Sequence, residues 1–133
     1  MRKSAFLLCL TLAACGPRVT PVVQGDPTAT AALLAMPETQ FFAQSQLAQQ
    51  IAGKCATIGY NQRFSDAVAV QRFGDEAAAR RGRNQNGLGL EVDVGQRSLQ
   101  ARYDTSFEAA DLCAIGTGEL ARKSALSAIL IPL

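Results

Sequence analysis

The chain has 133 residues, with 13 Lys and Arg against 11 Asp and Glu, a formal charge of +2, and neither histidine nor tryptophan. That length holds one domain with a modest core and leaves no room for two. Missing histidine excludes Ser-His-Asp and Cys-His catalysis, His-ligated zinc and c-type haem attachment, so no cofactor and no metal site is expected.

Arg2 and Lys3 precede an apolar run from Ala5 to Ala14 that only Thr11 interrupts. The run is far short of the roughly 20 apolar residues of a membrane span, and its layout is that of a secretory signal. Leu12-Ala13-Ala14-Cys15 resembles the lipobox of bacterial lipoproteins, in which cleavage leaves the cysteine as a lipidated N-terminus. The resemblance implies a signal peptide over 1–14, lipidation at Cys15, and the membrane as a partner through the acyl chains. Two or more chains are needed for stable anchoring. Gly16 follows the cysteine where Asp would favour retention in the inner membrane, so the lipoprotein sorting rule implies the outer membrane, facing the periplasm. Cys9 falls in the discarded segment. Cleavage also removes Arg2 and Lys3, leaving 11 basic against 11 acidic residues. The mature chain therefore has no overall field that points to nucleic acid.

Residues 15–36 contain Gly16, Pro17, Pro21, Gly25 and Pro27 and read as a flexible tether, with room for a short helical turn over 28–35. The domain is expected to span 37–133. Abundant Ala beside sparse Val, Ile, Thr and aromatics points to an all-α fold, a small disulfide-stapled bundle of about four helices. Pro37 suits a first helical position and Glu38 the first turn. Leu47, Ile51, Cys55 and Ile58 then recur on one helical face with Phe41 and Ala48 beside them. Gly59-Tyr60-Asn61 reads as the stop, with Asn61 capping the next helix.

A second helix is expected over 62–81, burying Phe64, Ala67, Val70, Phe73 and Ala77, with Arg80 and Arg81 at its negative end and Gly82 as the stop. Residues 84–87 read as a loop. Leu88, Leu90, Val92 and Val94 alternate as a strand would, yet no second segment of similar quality can pair with them. An irregular start leading into a helix from about Glu91 to Tyr103 is therefore expected. Thr105-Ser106-Phe107-Glu108 matches a capping box opening the last helix. Cys113, Gly116, Leu120, Ser124 and Ala128 share one side of it, and Gly116 would let another helix approach closely. Ile131-Pro132 ends the element.

An exported chain that discards Cys9 and acylates Cys15 keeps two thiols, Cys55 and Cys113, an even pair in an oxidising compartment. Their disulfide would join the first helix to the last across 58 residues. The chain-entropy model assigns such a loop about 4 kcal/mol. No C-x-x-C motif is present to lower a thiol pKa, so a redox role is not expected.

Residues Cys113 to Leu130 resemble the C-terminal signature of a family of small exported, mainly alphaproteobacterial helical proteins of unknown function. The pattern is Cys113, Gly116 three on, Glu119 three further, the aliphatic Leu120, then Ser124. Ile51 and Cys55 match its upstream part. The resemblance covers roughly residues 38–131 and departs from the pattern over 82–104. It implies an all-helical, disulfide-stapled fold and supplies no activity.

Two constellations carry candidate chemistry. Glu108, Asp111 and Glu119 offer carboxylates for general acid/base work on an envelope polymer. Glu119 also stands three and four residues before Arg122 and Lys123, where helix-surface pairing explains it more simply. Arg72, Arg80, Arg81 and Arg83 form a basic cluster suited to lipid headgroups or cell-wall phosphates, although compensation of a helix end accounts for three of them. The glycine pairs Gly87/Gly89 and Gly116/Gly118 lack a phosphate-loop pattern. The sequence thus leads to a lipid-anchored, non-enzymatic envelope component with a protein or cell-wall partner. A carboxylate-dependent hydrolase and a tethered enzyme inhibitor are the alternatives.

Overall fold

The computed structural model describes residues 25–108 and 111–133. Residues 1–14, where a signal peptide is expected, and Cys15, the expected lipidation site, lie outside the described residues. The first helix, α1 (Pro27–Leu34), begins with proline at its first position and is capped by Asp26, whose carboxylate accepts from the Thr28 and Ala29 amides. Ala29 and Leu33 are fully buried. The packed body therefore includes residues assigned above to the 15–36 tether, and its start is not at 37. Two inward residues four apart suffice to dock so short a helix, and their signal is lost among neighbouring alanines and threonines.

Helix α2 (Glu38–Ala52) follows and supplies the centre of the core through Phe41, Leu47, Ala48 and Ile51. It stops at Gly53, short of the expected 58. Cys55 and Ile58 nevertheless remain buried, because the chain turns and Ile58 opens a short strand, β1 (Ile58–Tyr60). β1 pairs antiparallel with β2 (Leu130–Pro132) in the register Ile58 to Pro132, Gly59 to Ile131 and Tyr60 to Leu130. These three-residue strands are the addition to an otherwise helical fold, and segments that short carry no alternation to read.

Asn61 caps α3 (Gln62–Phe73) by accepting from the Phe64 amide at 3.2 Å. The expected single helix over 62–81 is broken at Gly74, whose φ of 81° lies in the left-handed region that glycine tolerates. The chain resumes as α4 (Ala77–Arg83), so Gly82 lies within a helix and is not its stop. The buried stripe of α3 also differs from the expected one: Ser65 and Val68 face inward with Phe64, while Ala67 and Val70 are exposed. Arg72 donates to the carbonyls of Leu34 and Met36, fastening α3 to the α1–α2 junction.

Helix α5 (Gln85–Tyr103) settles the conflicted segment as helix and begins six residues before the expected Glu91. Leu88, Val92 and Leu99 are buried at helical spacing, and Leu90 and Val94 point outward at 69% and 62% exposure. The apparent alternation is two buried residues of one helical face interleaved with two exposed ones on the same helix. α2 packs chiefly on α5, with Leu47 against Gly95. Asp104 then ends α5 in the left-handed conformation.

Helix α6 (Leu112–Arg122) is shorter than expected and starts after Asp111, so Thr105 does not cap it. Lys123, at φ 54°, ends it and extends its ammonium to Asp26 at 3.0 Å, closing the C-terminal part onto α1. A single 3-10 turn over Leu126–Ile129 leads into β2 and is buried throughout. Gly116 faces Ile51 and Ile58, and a Cβ there would stand 2.7 Å from each. The close approach expected of this glycine is present. Cys55 and Cys113 form the disulfide, with Cα atoms 5.0 Å apart, joining the turn after α2 to the first turn of α6. Among the described residues six α-helices thus stand where about four were expected, in a small disulfide-stapled helical domain. No helix among the described residues is long and apolar enough to cross a membrane.

Candidate functional site

Burial separates the three candidate carboxylates. Glu119 sits on the core-facing side of α6, one turn beyond Gly116, and is 1% exposed. It does not pair with Arg122 or Lys123 on the surface. Its Oε1 accepts from Arg102 Nη1 at 2.6 Å and from the Tyr103 hydroxyl at 2.8 Å, both on the last turn of α5. A buried carboxylate without such partners would be strongly destabilising, so the cluster is what lets α6 carry an acid inward. Burial first, and then the hydrogen bond to Glu119, push the Tyr103 phenol up to about 12. The neutral phenol is thereby held as a donor. The spacing of Cys113, Gly116 and Glu119 has a physical reading: successive turns of one helix place a disulfide, a close contact and a buried ion pair on the inward face.

Glu108 is exposed, and Asp111 lies before the first turn of α6. The Thr105 and Ser106 hydroxyls hold the Asp111 carboxyl below the usual range, the Ser106 bond being 3.0 Å. Asp111 and Glu119 are eight residues apart along α6, an axial distance of about 12 Å at the α-helical rise. A glycosidase pair stands about 5–9.5 Å apart with a substrate between. Asp111 and Glu119 are not brought together as an acid/base pair.

A cavity of about 160 Å³ adjoins the Glu119 cluster, with Met36, Leu47 and Leu126 as apolar walls and Ser98, Arg102 and Ser124 as polar ones. It continues along the α2–α5 seam past Gly95 into a second depression bordered by Gln40, Gln44, Glu91 and Val94. The seam exists because Gly95 has no side chain where the two helices meet. Periodicity could not locate this groove, since Arg102 and Tyr103 occupy an unremarkable helix end in the sequence.

The basic cluster resolves into separate jobs. Arg80 pairs with Glu38 at 3.1 Å and donates to the Phe73 carbonyl, tying α4 to α2 and α3. Arg72 lies over the Phe73 ring, and Arg81 over the Phe42 ring with 5.2 Å to its centroid. Arg83 is exposed. Two of the four cations therefore act mainly as ties between helices. The pair Gly87/Gly89 lies inside α5, and Gly118 packs against the Tyr103 ring, where no phosphate loop is formed. Searches against family models, curated proteins and solved structures return no match to this chain.

Proposed function

We propose that this is a lipid-anchored protein of the bacterial envelope whose helical domain binds or supports another envelope component without catalysing a reaction. The membrane is its partner through acylated Cys15, and the second partner is an envelope protein or cell-wall polymer. The observation that carries the reading is the Glu119 cluster: the one buried acid on α6 is committed to Arg102 and Tyr103 as a structural tie. The export signal and lipobox support the location, as does a disulfide suited to an oxidising compartment. The kinship implied by the Cys113–Ser124 signature belongs to the same proposal. Nine residues lie between Cys15 and Gly25, and the ten Cα steps reach at most about 36 Å, so the domain would work close to the bilayer. Outer-membrane placement, from Gly16, is part of the proposal.

The test is crosslinking in intact cells with the wild-type chain and with Cys15→Ser, followed by fractionation. The proposal expects the wild type in the membrane fraction with a specific crosslinked partner, and the variant released from it. Hydrolysis of an envelope polymer by the purified protein, abolished by Glu119→Gln in a folded variant, would refute the non-catalytic reading.

A further inference from the structure

A different cavity, of about 210 Å³, opens between α2, α4 and the start of α5. Its floor is apolar, formed by Phe42 and Leu88, and its rim carries Thr39, Glu38, Arg80 and Arg81. Arg80 is neutralised there by Glu38. Arg81 is not: among the described residues no carboxylate lies within ion-pair distance of it, and its guanidinium rests over the Phe42 ring. The rim therefore carries one uncompensated positive charge, already oriented against the apolar floor. Stacking restricts the arginine beforehand, which lowers the ordering cost of using its fork of N–H donors. A planar fork of that kind matches a carboxylate through two parallel hydrogen bonds.

The dimensions narrow the other half of the ligand. An apolar cavity of about 150 Å³ accommodates benzene, so a space of about 210 Å³ beside Phe42 and Leu88 has room for a group of that size. We propose that this cavity binds a small monocarboxylate bearing a compact apolar group of about benzene size, with Arg81 holding the carboxylate. The Glu119 cavity is less suited to an anion, because its arginine is already paired with a buried acid. The inference rests on the binding role proposed above and names its ligand class, but it uses nothing about the anchor. Failure of one leaves the other open to its own test.

Two sources share this chemistry, a free acid and the C-terminus of a peptide ending in an aromatic residue. The protein purified from membranes in detergent is titrated with phenylacetate and with N-acetyl-Ala-Phe, following backbone amide resonances. The amides of both ligands serve as uncharged controls. Saturable shifts at Thr39, Phe42, Arg81 and Leu88, with the low-millimolar affinity ordinary for so small a ligand, are expected. Tighter binding of phenylacetate assigns a free acid, and tighter binding of the dipeptide assigns a peptide terminus. Arg81→Gln should weaken binding about tenfold or more, and Arg83→Gln should leave it unchanged. Absence of saturable shifts with both acids would overturn the proposal. So would controls that bind as tightly as the acids, or equal weakening by the two arginine substitutions. The amide spectrum reports the fold of each variant, and the uncharged controls test the same point on the unaltered protein.

Discussion

Replacing Glu119 by glutamine keeps the shape of the side chain and an acceptor for Tyr103 while removing the charge that Arg102 faces. Hydrogen bonds to charged groups contribute about 1.5–3 kcal/mol net. Breaking a wholly buried ion pair costs about 3–5 kcal/mol, but Arg102 is 36% exposed and can return its guanidinium to water. The loss expected for Glu119→Gln is therefore about 2 kcal/mol, equivalent to a fall in Tm of roughly 8 °C for a domain of this size. The tyrosine supplies a second readout. Its phenol is pushed up to about 12 by burial and by the Glu119 carboxylate, so the substitution should bring it down towards, without reaching, the ordinary value of 10. Tyrosinate absorbance reads this change, and subtraction of the Tyr103→Phe spectrum isolates the Tyr103 component. A raised phenol pKa means that the folded state holds its proton longer. The associated stability is fully present below pH 10 and is lost as the pH rises through about 12. Urea unfolding of the single variants Glu119→Gln and Arg102→Gln and of the double variant isolates the coupling. A loss below about 0.5 kcal/mol, with the tyrosine titration unchanged, would refute the assignment of the cluster as a structural tie.

Reducing the Cys55–Cys113 bond, or replacing both cysteines by serine, should cost at most about 4 kcal/mol, read as a lower urea midpoint with the helical spectrum retained at low temperature. Two glycine-to-alanine changes should move stability in opposite directions. Gly116→Ala drives a methyl group into Ile51 and Ile58 and should destabilise by about 1–3 kcal/mol. Gly89→Ala, in open space on α5, should stabilise by up to about 1 kcal/mol in the same unfolding assay. Lys123 and the Thr28 and Ala29 amides hold the Asp26 carboxyl below its usual range. The depressed value places its contribution above pH 3.8, to be lost as pH falls through the folded value. Protection of the Ala29–Leu33 amides, relative to the intrinsic exchange rate at each pH, should accordingly fall in acid and, at neutral pH, in Asp26→Ala.

Long apolar repeats were legible without coordinates. The stripe of Phe41, Leu47, Ala48 and Ile51 located α2, and Gly116 announced a close contact because a missing side chain in an apolar face has few other uses. What escaped were events decided between segments. Ile58 keeps helical register with Ile51 yet lies in a strand, because burial is maintained when a helix ends and the chain pairs with residues some seventy positions on. Gly74 split α3 from α4, and an isolated glycine inside a helical pattern does not reveal its φ. Arg122 and Lys123 stand at pairing distance from Glu119 in sequence, which points to a surface acid. The partners that matter, Arg102 and Tyr103, come from another helix. For the same reason the cavity over Phe42 is invisible in sequence, being assembled from α2, α4 and α5.

The most direct measurement is intact-mass and peptide-mapping spectrometry of the protein extracted from its native envelope without reduction. The account predicts a mature chain starting at Cys15 with acyl chains on that residue, and a crosslinked peptide pair containing Cys55 and Cys113. A mature product that begins elsewhere and carries no lipid would contradict it.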